Sequence, residues 1–120
     1  MGFQLKAVQA LDLWRGAIVE SVRRDGPDLS ARQMALLLTV YLIPPPHTVR
    51  GLAQTMNVSK PAITRALDRL SELGLIKRKT DETDRRSVLV QRTVKGSVYL
   101  REFGDLIVAA AATAGDDAAQ

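Results

Sequence analysis

The chain has 120 residues, enough for one domain and too few for two independent cores. With 46% hydrophobic and 25% charged residues, it has the make-up of a folded globular protein rather than a disordered one. The absence of cysteine excludes disulfides, thiolate metal sites and thiol redox chemistry, and a single histidine argues against a histidine-rich metal centre; the net charge is +4.

The first segment reads as a helix, because Ala7, Ala10, Leu11, Trp14, Ala17, Ile18 and Val22 recur at helical spacing and Gly26-Pro27 breaks the chain after them. Ser30 with Gln33 three residues later has the pattern of a capping box. The helix it opens carries Met34, Leu37, Leu38, Tyr41 and Leu42, and the run Pro44-Pro45-Pro46 stops it. Thr48 is the expected cap of a short third helix with Val49, Leu52, Ala53 and Met56. Only Asn57 and Val58 separate that helix from Ser59, the cap of a fourth. Pro61 sits in the first turn of the fourth helix, where a missing N–H costs little. Its apolar positions are Ala62, Ile63, Ala66, Leu67, Leu70 and Leu73, and Gly74 fits a left-handed position just past the end. Two helices joined by so tight a turn make a helix-turn-helix candidate. The period then changes: Leu75–Thr80 and Ser87–Thr93 are β-rich runs around a charged loop, which predicts a hairpin. Thr93 is placed to cap a last helix with Val98, Leu100, Phe103, Leu106 and Ile107, and residues 115–120 read as a frayed tail.

Charge tracks this layout. Residues 1–47 carry five basic and four acidic side chains, residues 48–101 twelve and five, and residues 102–120 none and four. A basic module of this kind suits a polyanion, although a solvated face with no partner has the same composition. On the fourth helix, Ile63, Ala66, Leu67 and Leu70 mark the inner side, so Lys60, Pro61, Thr64, Arg65 and Asp68 share the outer one. Arg65 has the reach and donors to read guanine, while Ser59, Lys60 and Thr64 suit phosphates. Lys77, Arg78 and Lys79 enter the hairpin and Arg85 and Arg86 lie at its tip, a shape that suits a narrow minor groove. Asp84 reads as a partner that orients a guanidinium. A catalytic reading finds no histidine–carboxylate pair, no glycine-rich phosphate loop and no nucleophile with a nearby base.

The runs Leu52-Ala53 to Val58-Ser59, Ala62 to Leu73-Gly74-Leu75-Ile76, Lys77-Arg78, Asp84-Arg85-Arg86, Thr93 and Lys95-Gly96 resemble the MarR family of winged helix-turn-helix regulators. The likeness covers residues 30–100 in motif and the outer helices by position. Its most specific element is the Asp-x-Arg of the wing, here Asp84 and Arg86. The resemblance implies a mostly α fold with a small β-hairpin, a winged helix-turn-helix flanked by dimerisation helices. Residues 1–29 would be an N-terminal dimerisation helix, 30–100 the DNA-binding domain, and 101–120 a C-terminal dimerisation helix with its tail. It further implies a cytoplasmic, bacterial, homodimeric transcription regulator, usually a repressor, rather than an enzyme, with no cofactor. Its partner would be double-stranded DNA, and helix-turn-helix geometry makes the operator a near-palindrome. The expected DNA contacts are Ser59, Lys60, Pro61, Thr64, Arg65, Arg69, Lys77, Lys79, Arg85 and Arg86, with Arg86 in the minor groove and Asp84 holding the wing. A small aromatic effector is a further expectation, with Trp14, Tyr41, His47 and Tyr99 as candidate lining; core packing is the preferred reading of Trp14 and Tyr41, and a plain loop position that of His47. Three departures stand out: Gly51 where an acidic or polar residue is common, Arg92 where leucine is common, and a short C-terminal region.

Two rival readings remain on the residues alone. One is a winged helix that docks an acidic protein partner without reading DNA sequence. The other, an RNA-binding module, would need stacking aromatics, and residues 50–95 contain no Phe, Tyr or Trp. The amino-terminal stretch is amphipathic and lacks the apolar centre of a signal peptide. The longest apolar runs, residues 34–38 and 106–112, fall well short of the roughly 20 residues a membrane span needs.

Overall fold

The computed structural model describes residues 5–118, with side chains described to Ala114. Its elements are α1 (Ala7–Arg23), α2 (Ala31–Leu42), α3 (Val49–Met56), α4 (Lys60–Glu72), β1 (Ile76–Thr80), β2 (Val88–Arg92) and α5 (Val94–Ala118). The protein is therefore mostly helical with one antiparallel hairpin, as the periodicities predict. It divides into two compact units, one made of the residues up to Asp28 together with those from Leu100 on, the other of Leu29–Tyr99.

In the second unit α2 and α3 pack on α4, and the hairpin closes the group. Leu36, Leu37, Ile63, Leu67 and Leu70 are wholly buried, with Leu52, Leu75, Ile76 and Val90 nearly so. Each such side chain contributes about 1.5–3 kcal/mol by leaving water. The inner face of α2 differs from the expected one. Leu42 is 72% exposed, whereas Leu36 and Val40 lie in the core. Leu42 is the last residue of the helix, beside the proline loop, and its side chain stays in solvent while Val40 of the same turn is buried.

Local chemistry accounts for the helix ends. Ser30 Oγ accepts from the Gln33 N–H (3.1 Å), and Gln33 Oε1 accepts from the Ser30 N–H (2.8 Å). Thr48 Oγ1 accepts from the Gly51 N–H and Ser59 Oγ from the Ala62 N–H, which opens α3 and α4. Between them the chain turns at Asn57, left-handed at φ 54°, a conformation Asn tolerates better than most residues. Gly74 ends α4 at φ 75°, and the Leu75 N–H closes back on the Leu70 carbonyl. Ser30→Ala is expected to cost about 1 kcal/mol through the lost cap. A thermal midpoint equal to that of the parent protein would contradict that role.

The hairpin pairs Ile76 with Arg92, Arg78 with Val90 and Thr80 with Val88. Each strand is shorter than its sequence run, losing Leu75 from the first and Ser87 and Thr93 from the second. Thr93 is spent on capping: its Oγ1 donates to the Gly74 carbonyl (2.7 Å) and accepts from the Gly96 N–H at the start of α5. The outer edge of β2 meets the residues before α3, where the Val90 N–H donates to the His47 carbonyl (2.8 Å) and Thr48 bridges Leu89. His47 lies in the loop between α2 and α3, as expected, and within it is nearly buried, with its Nε2 2.8 Å from the Ile43 carbonyl. Since a carbonyl only accepts, Nε2 is the donor. Tyr41 joins three segments: its hydroxyl accepts from the Thr93 N–H (2.8 Å) and shares its proton between the Leu75 and Thr93 carbonyls.

The first unit has a thin core. On α1 only Ala17 is buried. Gly16 lets Ala110 approach to 3.2 Å from where a Cβ would stand, and Trp14 meets Phe103 edge to face at 6.0 Å. Trp14 is still 46% exposed, so the expected core packing is not found. Leu11, Val22 and Val108 are more exposed still. The apolar stripe of α1 exists, but within one chain little covers it. Helix α5 continues through Ala118, past the Gly115 where fraying was expected; residues 119 and 120 of that expected tail lie outside the described residues.

Candidate nucleic-acid interface

Helix α4 buries Ala62, Ile63, Ala66, Leu67 and Leu70 and exposes Lys60, Pro61, Thr64, Arg65, Asp68 and Arg69. The exposed set lies on one side because the buried positions recur at three and four residues. Lys60, Pro61, Thr64 and Arg65 fall in the first half of the helix, where its unpaired N–H groups add partial positive charge. Among the described residues Lys60 and Arg65 have no acidic partner, whereas Arg69 lies 3.6 Å from Glu72.

The wing rises beside this helix. Arg78 in β1 forms a 2.8 Å ion pair with Asp68 of α4, tying the hairpin to the helix in a way that local sequence patterns do not announce. Both groups are partly in solvent, so the pair is worth about 0–1 kcal/mol, and its effect is on position rather than stability. At the tip, Asp84 accepts from the Arg86 N–H (3.1 Å) and the Ser87 hydroxyl (3.2 Å). The Arg86 guanidinium itself stands 3.9 Å from Asp84 and its side chain is 98% exposed. The carboxylate thus bonds the backbone of the turn, and the guanidinium keeps only a long ion pair to it while projecting into solvent.

Helix and wing enclose a cleft of about 420 Å³ that brings Lys60, Thr64, Arg78 and Arg86 together with Asp84. Arg50 of α3 also lines it. Sequence reasoning missed Arg50; the available signal was its place in the first turn after the Thr48 cap, as the lone charge between His47 and Lys60. Lys77 and Lys79 alternate with Arg78 along β1 and so occupy the other face of the hairpin, where Lys79 lies 4.0 Å from Glu82. Of the four candidate effector-lining residues, Trp14 is in the first unit and Tyr41, His47 and Tyr99 in the second.

The wing loop contains a shifted carboxyl, Asp81. The Thr83 hydroxyl (2.7 Å) and then the Thr83 N–H (2.9 Å) donate to Asp81 and hold its carboxyl below the usual carboxylate value. A lowered folded value means the turn gains stability above the ordinary carboxylate pKa and loses it as pH falls through the lowered one. The wing loop is therefore expected to keep this turn at neutral pH and to loosen only in acid. In Thr83→Ala the Asp81 midpoint should rise towards the ordinary value in a carboxyl-detected NMR titration; an unmoved midpoint would show that another group sets it.

Among the described residues no cluster of His, Cys, Asp and Glu is placed to hold a metal ion, and no helix is long and apolar enough to cross a membrane. A capped helix pair with a three-residue turn, then a hairpin tied back to the second helix, defines a winged helix-turn-helix protein. The MarR family model matches residues 28–87, half of the chain, and the chain belongs to that family of DNA-binding transcription regulators, which are not enzymes. Solved structures agree. The transcriptional regulator BldR from Sulfolobus solfataricus is 33% identical, with a TM-score of 0.60 over 82% of this chain and 70% of that one. A mutant of MarR from E. coli, complexed with operator DNA, is 26% identical with a TM-score of 0.65 over 82% and 66%. A mutant of MepR from S. aureus shares the fold at a TM-score of 0.74 over 90% and 77%, with 18% identity.

Proposed function

We propose that the protein is a homodimeric, sequence-specific regulator, acting as a repressor, that binds a near-palindromic operator in double-stranded DNA. The observation that carries this reading is the shared cleft: Lys60 and Thr64 of α4 and Arg86 of the wing line one hollow, from two elements tied by the Arg78–Asp68 pair. In this reading α4 enters the major groove, where Arg65 and Thr64 meet base edges, and Arg86 enters the adjacent minor groove. Ser59, Lys60, Pro61, Arg69 and Arg85 position the helix and wing on the backbone, joined by Arg50. Lys77 and Lys79 reach phosphates from the other hairpin face. Residues 30–100 then form the reading domain, and 1–29 with 101–120 the dimerisation helices. The exposed Leu11, Trp14, Ile18 and Val22 of α1 supply apolar surface for a second copy. That the E. coli relative is solved in complex with operator DNA supports duplex DNA as the partner.

Selection of the purified protein against randomised duplex DNA tests this directly. The expected product is an inverted repeat with half-sites about one helical turn apart. Enrichment of a single half-site would remove the dimer from the reading. No enrichment from a folded sample would remove sequence specificity and favour a winged helix that docks a protein partner.

A further inference from the structure

Adjacent major and minor grooves of a duplex are separated by one sugar-phosphate strand. With α4 in the first and the wing tip in the second, that strand has to run through the cleft between them. Arg50, Lys60, Arg78 and Arg86 line the cleft and account for phosphates. The rest of the lining is unusual for a polyanion site, because Val49 and Val88 stand among the four cations. A phosphate gains nothing from an aliphatic side chain, and neither valine belongs to the buried core.

The fold sets the two valines together. Thr48 and Leu89 form an antiparallel bridge, so the start of α3 runs beside the start of β2. The next residue on one segment, Val49, therefore neighbours the preceding residue on the other, Val88. Thr48 is fixed by its bond to the Gly51 N–H, and Val88 by its pairing with Thr80. Val88 is 36% exposed and Val49 half-buried, so carbon is available to whatever fills the cleft. The polar groups beside Val88 are already engaged: the Ser87 hydroxyl donates to one Asp84 oxygen, and the other accepts from the Arg86 N–H.

We infer that Val49 and Val88 hold the deoxyribose of the strand in the cleft and make the protein select a DNA sugar over a ribose there. The inference rests on the DNA-binding reading and adds a sugar preference to it. The 2′-hydroxyl is the group by which a protein tells the two sugars apart at a given site. Pressed against two valines, it would leave water without gaining a partner, and a hydroxyl in that state weakens an interaction about tenfold. A hydrogen of deoxyribose in the same place loses nothing and buries apolar surface.

The test is a scan of single ribonucleotides along both strands of the duplex that selection recovers, read as affinity relative to the all-DNA duplex at fixed salt. One ribonucleotide adds one hydroxyl and leaves the remaining sugars as they were. The expected profile has one or two positions per half-site, on the strand between the two grooves, where affinity falls about tenfold. A 2′-fluoro sugar at those positions favours the ribose pucker but has no O–H, and it should bind within about threefold of DNA. In Val88→Thr a hydroxyl replaces one methyl group in a side chain of the same shape that suits a strand. The ribose penalty should shrink there to about threefold or less, since the 2′-hydroxyl gains a partner. That penalty is a ratio within one protein, so it is independent of any change in DNA affinity itself. Equal losses from ribose and 2′-fluoro would make the effect one of sugar pucker and overturn the inference. A flat ribose profile on a duplex that is otherwise bound would overturn it too, as would a penalty unchanged in Val88→Thr, and both would leave the DNA-binding reading standing. A folded protein that binds no duplex would remove the two readings together.

Discussion

Gly96→Ala is expected to lower stability by about 2–3 kcal/mol, a large effect for one added methyl group. The new Cβ would fall on the Tyr41 hydroxyl and the Leu75 carbonyl, well inside any tolerated contact. Tyr41 would have to swing out, leaving the Thr93 N–H without its 2.8 Å acceptor. In a chain of this size, that should drop the thermal midpoint by roughly 10 °C. A midpoint within a degree or two of the parent protein would show that the three segments joined at Tyr41 can separate cheaply. Tyr41→Phe alone removes the hydrogen bonds without the clash and should cost about 1–2 kcal/mol. The two changes are expected to be less than additive, because Tyr41→Phe removes one of the two oxygens that the added methyl group meets. DNA affinity should fall in both, since the same junction sets the turn after α4 and the start of the hairpin.

That junction also marks where sequence reasoning runs out. Ser30, Thr48, Ser59, Pro61 and Gly74 are legible because caps and stops act within a few residues, and each occupies its expected place. The buried face of α4 is legible for the same reason, since its period is local. Tyr41 with Thr93, and Arg92 with Val40, are bonds between residues 52 positions apart, and no periodicity announces them. Arg92 departs from the common leucine, and the structure supplies the reason: its guanidinium closes the exposed carbonyl end of α2. Trp14 illustrates a different limit. Helical spacing states which face of α1 is apolar but not what covers it, and within one chain that face stays largely open. In the candidate interface, the basic residues other than Arg50 are legible one by one. The sorting of Arg78 to the cleft and Lys77 to the opposite hairpin face comes from their alternation along β1.

Arg86→Ala is expected to weaken operator binding about tenfold to a hundredfold without changing thermal stability. The unchanged stability is a consequence of exposure: the guanidinium is in solvent, and an ion pair of 3.9 Å at the surface contributes about 0–1 kcal/mol at most. Asp84→Ala should act differently, because it removes the acceptor for the Arg86 N–H and the Ser87 hydroxyl and so loosens the whole tip. The wing loop of that variant should then exchange its amide hydrogens faster, while Arg86→Ala leaves them unchanged. Comparison with Arg65→Ala separates the two grooves. Losing a base-reading arginine relaxes discrimination at one position of the half-site, at a cost of about 1–3 kcal/mol on the preferred sequence and less on others. Losing an arginine that senses the electrostatic depth of a narrow minor groove weakens binding most where A·T-rich steps flank the half-site, and it lowers the salt slope by about one unit for each phosphate interaction lost. Affinity unchanged in Arg86→Ala at low salt would place the wing off the DNA. The cleft that joins Lys60, Thr64 and Arg86 would then have to be explained by some other anion.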